Sequence, residues 1–246
     1  MLNKVPQVTL IFWIIKIAAT TLGETAGDAL SMSLDLGYIL SSAIFFLLFA
    51  FFVSLQIKAK QYHPYLYWLT IITTTTLGTT IADFVDRSLG IGYFGGSLLL
   101  LSLLLCSLAT WYYSDRSLSV QNIQSTKTEM FYWVTIMFSQ TLGTALGDWV
   151  ADTQGLGYLY SAIIFGSMLL LLTLGYFWTK ISHTFLFWSA FILTRPLGAV
   201  LGDFLDKPIS QGGLDLSRFG ASFVLILFIF IFIFIVISKR TSKANS

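Results

Sequence analysis

The stretch TLGETAGD (21–28) decides the fold, because it returns as TLGTTIAD (76–83), TLGTALGD (141–148) and PLGAVLGD (196–203). Aligned on Asp28, Asp83, Asp148 and Asp203, the register holds well beyond the motif. Fifteen residues earlier stand Trp13, Trp68, Trp133 and Trp188, and six earlier stand Leu22, Leu77, Leu142 and Leu197. Ten residues after the first three stand Tyr38, Tyr93 and Tyr158. Successive copies are 55, 65 and 55 residues apart, so the first pair maps onto the second with a constant offset of 120, which His63 and His183 also obey. Four tryptophans in register are the mark of a tandem repeat, and two successive duplications explain the spacing.

The composition says where such a repeat lives. Of 246 residues, 56% are hydrophobic and only 11% charged, and the mean hydropathy is +0.79. Soluble domains carry about a quarter charged residues, so the chain reads as a polytopic, all-α membrane protein. Apolar runs of spanning length fall at 7–28, 37–57, 64–83, 92–113, 129–150, 157–178, 184–204 and 218–238. The first run carries the motif and is read as a retained helix rather than a leader. One membrane domain, 1–246, is expected, with repeats of about 5–60, 61–118, 125–182 and 183–240 and halves 1–120 and 121–246. Because each repeat holds two spans, all four enter from one side, giving eight transmembrane helices with pseudo-fourfold or nested twofold symmetry.

Charge sets the orientation. Lys4, Lys58, Lys60, Arg116, Lys127, Lys180, Lys239, Arg240 and Lys243 fall at the N-terminus or after even-numbered runs, against Arg87, Lys207 and Arg218 after odd-numbered ones. The positive-inside rule then places both termini in the cytoplasm and the repeated aspartates at an acidic outer face. A single cysteine, Cys106, excludes an intramolecular disulfide framework, and two histidines give little basis for a zinc site. No basic groove points to nucleic acid. The tryptophans and tyrosines are expected to form interfacial belts.

The chain resembles the bacterial membrane-protein family built from the domain-of-unknown-function 347 repeat, on the strength of its four copies and of Trp13, Trp68, Trp133 and Trp188. The resemblance implies four tandem two-span units in a bacterial inner membrane. It carries no activity.

The chemistry must come from the motif. Positions −7, −4 and 0 from the aspartate share a helix face: Thr21, Glu24 and Asp28; Thr76, Thr79 and Asp83; Thr141, Thr144 and Asp148; Pro196, Ala199 and Asp203. This oxygen-rich stripe suits a hard cation such as Mn²⁺ or another divalent metal, with Asp28, Asp83, Asp148 and Asp203 as candidate ligands. Beside it, Gly23 and Gly27, Gly78 and Ala82, Gly143 and Gly147, and Gly198 and Gly202 are small residues four apart that let helices approach closely. Glu24, Lys16 and Arg195 break the symmetry and mark a charge pair or coupling element, with Glu24 as candidate partner for Arg195 and an unassigned acid, Glu24 among the choices, for Lys16. The favoured function is a small-cation transporter or channel. Its partners are the lipid bilayer and the cation, and no covalent cofactor is expected. The rival is a non-transporting binding or assembly protein with an acidic outer rim. An intramembrane enzyme is disfavoured, since no HExxH, GxSxG or nucleotide loop is present.

Overall fold

The computed structural model of the protein describes residues 4–123 and 125–244; the side chains of Lys239, Arg240 and Lys243, counted above in the charge bias, lie outside what is described. Among the described residues, eight long helices account for the architecture: α1 (Leu10–Asp28), α2 (Gly37–Lys58), α3 (Pro64–Asp83), α4 (Gly92–Asp115), α5 (Thr126–Asp148), α6 (Gly157–Trp178), α7 (His183–Asp206) and α8 (Arg218–Ala244). The odd-numbered helices carry the repeated motif. They form a closed ring in which α1 and α5 each pack on both α3 and α7. Outside it, α2, α4 and α6 each lie on the motif helix of the following repeat, and α8 lies on α1.

Composition explains the two layers. The outer helices turn large apolar side chains away from the protein, among them Ile39, Leu47, Leu98, Leu105, Leu171 and Phe223. Among the described residues, six helices are long and apolar enough to cross a membrane: α1 with the turn after it, α2, α4, α6, α7 and α8. The remaining two, α3 and α5, fall short of that apolarity although the sequence reading places spans there. Their polar residues, including Thr74, Thr75, Thr79, Ser139, Gln140 and Thr144, are buried inside the ring.

Local signals set the helix ends. The Thr9 hydroxyl accepts from the Phe12 amide at the start of α1, Ser125 does the same for Thr128 at the start of α5, and α3 opens on Pro64. After Asp28, Asp83 and Asp148 the helix widens into a π-helical turn: Ala29–Ser33, Phe84–Ser88 and Trp149–Thr153. Each turn is followed by two left-handed residues, Gly90 and Gly92 in the second repeat and Gly155 and Gly157 in the third. The first repeat uses Asp35 (φ 53°) in place of the first glycine, a residue whose short polar side chain tolerates that conformation.

The tryptophan end corrects one expectation. Trp68, Trp133 and Trp188 are buried and Trp13 is half-buried, all within an aromatic core rather than an exposed belt. They sit one position from Phe12, Tyr67, Tyr132 and Phe187, which fill the centre of the ring. Burial of the repeat position therefore takes its neighbour inside too. The Tyr67 and Tyr132 hydroxyls meet at 2.6 Å. Ile123 and Val120, from the connection between the halves, close this end, and the Trp188 indole donates to the Leu118 carbonyl. Lys4 reaches Glu129 at 2.7 Å and ties the N-terminal segment to α5.

Candidate ion-binding site

Steps of four residues along each motif helix form one ridge of side chains, and in the ring these ridges build layers. At the aspartate end lies Asp28, Asp83, Asp148 and Asp203, followed by Glu24, Thr79, Thr144 and Ala199. Next come Thr20, Thr75, Gln140 and Arg195, then Lys16, Ile71, Ile136 and Phe191. Phe12, Tyr67, Tyr132 and Phe187 form the floor. All twenty residues are buried. The interior thus passes from acidic through polar to aromatic.

The small residues are sockets for these layers. A methyl at Gly23 would strike Thr75, one at Gly78 the backbone of Gln140, one at Gly143 the stem of Arg195, and one at Gly198 Thr20. Each glycine therefore receives the residue at position −8 of the next helix around the ring. One turn nearer the aspartates, Gly27 receives Thr79, Gly147 receives Ala199 and Gly202 receives Glu24.

In the third layer Arg195 replaces a neutral side chain and crosses the ring. Its Nη2 donates to Glu24 Oε2 at 3.0 Å and to Thr79 Oγ1 at 2.5 Å, and it lies 3.5 Å from the Thr75 carbonyl. Nη1 lies 3.5 Å from the Thr20 carbonyl. Lys16 behaves differently. Its Nζ sits 4.2 Å from the centre of the Phe191 ring with no hydrogen-bond partner among the described residues, while the Glu24 carboxylate is taken by Arg195. Thr75 Oγ1, Thr144 Oγ1 and the Gln140 amide are likewise buried without a partner.

Two bases grip the four aspartates in pairs. Arg87 bridges Asp83 (3.1 Å) and Asp148 (3.4 Å), and Lys207 bridges Asp28 (3.0 Å) and Asp203 (3.1 Å). Arg87 and Lys207 are themselves related by the offset of 120 and stand four residues after Asp83 and Asp203. Arg87 also donates to the hydroxyls of Tyr38 and Tyr93, both at 3.2 Å. Arg218 adds contacts to Asp28 at 3.5 Å and Asp206 at 3.0 Å. For Lys207, burial works against the charge, but Asp203, Asp28 and Asp206 outweigh it and hold the ammonium above the ordinary lysine range. The Lys207 ammonium therefore keeps its proton at neutral pH and loses it only as pH rises through the raised value.

One acidic set stands apart. Single carboxylate oxygens of Glu24, Asp28 and Asp203 all lie within 4.8 Å of one another, and all three residues are buried. Two oxygens bound to one divalent ion at about 2.0–2.6 Å lie no more than about 5 Å apart, so a set held within that limit is compatible with a shared ion.

The structure does not bring together every residue named from the sequence. Thr21, Thr76 and Thr141, at position −7, donate to carbonyls one turn back on their own helices. Pro196, in the same register, lies inside α7. Asp83 and Asp148 form their own pair between the neighbouring helices α3 and α5, bridged by Arg87. The sequence reading passed over Arg87, Lys207 and Arg218, which it treated only as loop charges. For Arg87 and Lys207 a signal is present: basic residues at position +4 of the second and fourth repeats, in the twofold register.

Residues 11–62, 66–117, 131–182 and 186–241 match the Repeat of Unknown Function (DUF347). The chain belongs to the family built from four tandem copies of that repeat. No curated protein and no solved structure matches it.

Proposed function

We propose that the protein is a small-cation transporter or channel of a bacterial inner membrane, with eight spans, both termini cytoplasmic and the aspartate end outward. The observation that carries this reading is the buried set Glu24, Asp28 and Asp203, whose spacing fits a hard divalent ion. Mn²⁺ or another divalent metal is the proposed cargo. Acidic rings draw cations toward a mouth, and the aspartates at this end form such a ring. Lys16 and Arg195 are the proposed coupling elements, because intramembrane charges of this kind line pathways or pair across them. No catalytic role is proposed.

The test is Mn²⁺ flux into proteoliposomes containing the purified full-length protein. Glu24→Gln and Asp203→Asn proteins, inserted in normal amount, should lose about tenfold or more of the flux, since each removes a ligand charge. Wild-type flux in both would contradict the reading.

One observation favours the rival, a non-transporting binding or assembly protein. The glycine sockets at Gly78 and Gly143 are filled by Gln140 and Arg195, so the ring is tightly closed in this state. Absence of flux from the wild-type protein across Mn²⁺, Mg²⁺ and Ca²⁺ would support that rival.

A further inference from the structure

The twofold relation between the halves exposes a difference between their two bridging bases. On the α3/α5 side, Arg87 lies within the turn Phe84–Ser88 and its guanidinium touches four oxygen groups: Asp83, Asp148, Tyr38 and Tyr93. A planar guanidinium held on several sides is a fixed strap. The corresponding position −4 on this side holds Thr79 and Thr144, so no third carboxylate joins the pair.

The α1/α7 side differs at both points. Glu24 adds a third carboxylate, and the bridging base is a lysine with a single ammonium between Asp28 and Asp203. Lys207 stands just beyond the end of α7 in extended conformation (φ −72°, ψ 152°). Its carbonyl accepts from the Asp215 amide at 2.9 Å, so the backbone is anchored while the side chain hangs from a point outside the helix. The chain can withdraw without unwinding α7. Asp28 would keep Arg218, and Glu24 would keep Arg195.

We propose that Lys207 is a built-in occupant of the cation site: its ammonium takes the cargo's place between Asp28 and Asp203, and a divalent ion binds only by displacing it. The inference rests on the cation reading above and deepens it. The site then works by exchange, a +2 ion for a tethered +1 ammonium, on one side of the ring. Arg87 holds the twin aspartates closed.

Two measurements on the full-length protein in detergent test this. In calorimetric titration with Mn²⁺ alone, Lys207→Met should bind about tenfold more tightly than wild type, because the competing charge is gone. Arg87→Met should stay within about twofold of wild type on the same scale. The second measurement needs no variant: labelling of Lys207 by an amine-reactive reagent, read by mass spectrometry, should rise at saturating Mn²⁺ as the ammonium is released. If wild type binds Mn²⁺ but Lys207→Met binds no tighter, or Lys207 labelling stays level or falls, the exchange is wrong and the cation reading stands. Equal tightening in Arg87→Met would also overturn it, as a general charge effect. If neither wild type nor Lys207→Met binds Mn²⁺ while both remain helical by circular dichroism, the exchange and the cation reading fall together.

Discussion

Arg195 occupies a position that is Thr20, Thr75 and Gln140 in the other repeats, and it introduces a guanidinium into a place built for a neutral side chain. Its stem fills the Gly143 socket and its head is fully buried beside Glu24. Desolvating two charges offsets much of their attraction, so the pair adds little net stability, but breaking it leaves a lone buried charge. Arg195→Met should therefore destabilise the fold by about 3–5 kcal/mol. Glu24→Gln strands the fully buried Arg195 guanidinium, which cannot shed its proton, and should cost a comparable amount. The Glu24→Gln/Arg195→Met double variant should recover a large part of the loss, since the uncompensated charge has gone. Denaturation of all four proteins in the same detergent, treated as a double-mutant cycle, checks the coupling; strictly additive losses would show that the two charges act independently. Glu24 and Arg195 were both visible in the sequence as breaks in the repeat. Their contact was harder to read than their oddity, because it joins residues 171 apart.

At the scale of the helix, the small-residue pattern marks which edge approaches a neighbour, and the structure adds what each glycine receives. Gly143→Ala should cost about 1–3 kcal/mol by overpacking, since its new methyl would run into Arg195 Cβ and Cγ. Gly166→Ala, on α6 with open space around it, should be neutral or slightly stabilising. Thermal melts of the two variants decide; equal behaviour would show that the sockets are not tight. The element-level reading also missed by one residue in a way that has a cause. Positions −7 and −8 are adjacent on the helix, and both carry polar residues. Thr21, Thr76 and Thr141 satisfy their hydroxyls on their own helices, which any threonine can do. Which of the two neighbours faces the centre depends on how four helices meet, and no single helix encodes that.

Across the whole molecule, the sequence laid out four copies and a twofold offset with little ambiguity, since the offset relates tryptophans, glycines, aspartates and histidines alike. What it concealed is how the acid end is balanced. Asp28, Asp35, Asp83, Asp86, Asp148, Asp152, Asp203, Asp206 and Asp215 all fall at or beyond the aspartate ends of the helices and suggest a strongly negative mouth, yet the four repeated aspartates are straddled by Arg87 and Lys207. Charge balance is a property of the closed ring and cannot be counted along the chain. The same closure singles out the α1/α7 side of the ring, because Glu24 has no carboxylate counterpart in the other repeats. Anomalous scattering from Mn²⁺ in crystals of the full-length protein locates the ion. A peak bounded by Glu24, Asp28 and Asp203 is expected, with oxygen distances of about 2.0–2.6 Å and the Lys207 ammonium moved away. A peak between Asp83 and Asp148, or no peak at saturating Mn²⁺ with Lys207 still seated between Asp28 and Asp203, would contradict this assignment.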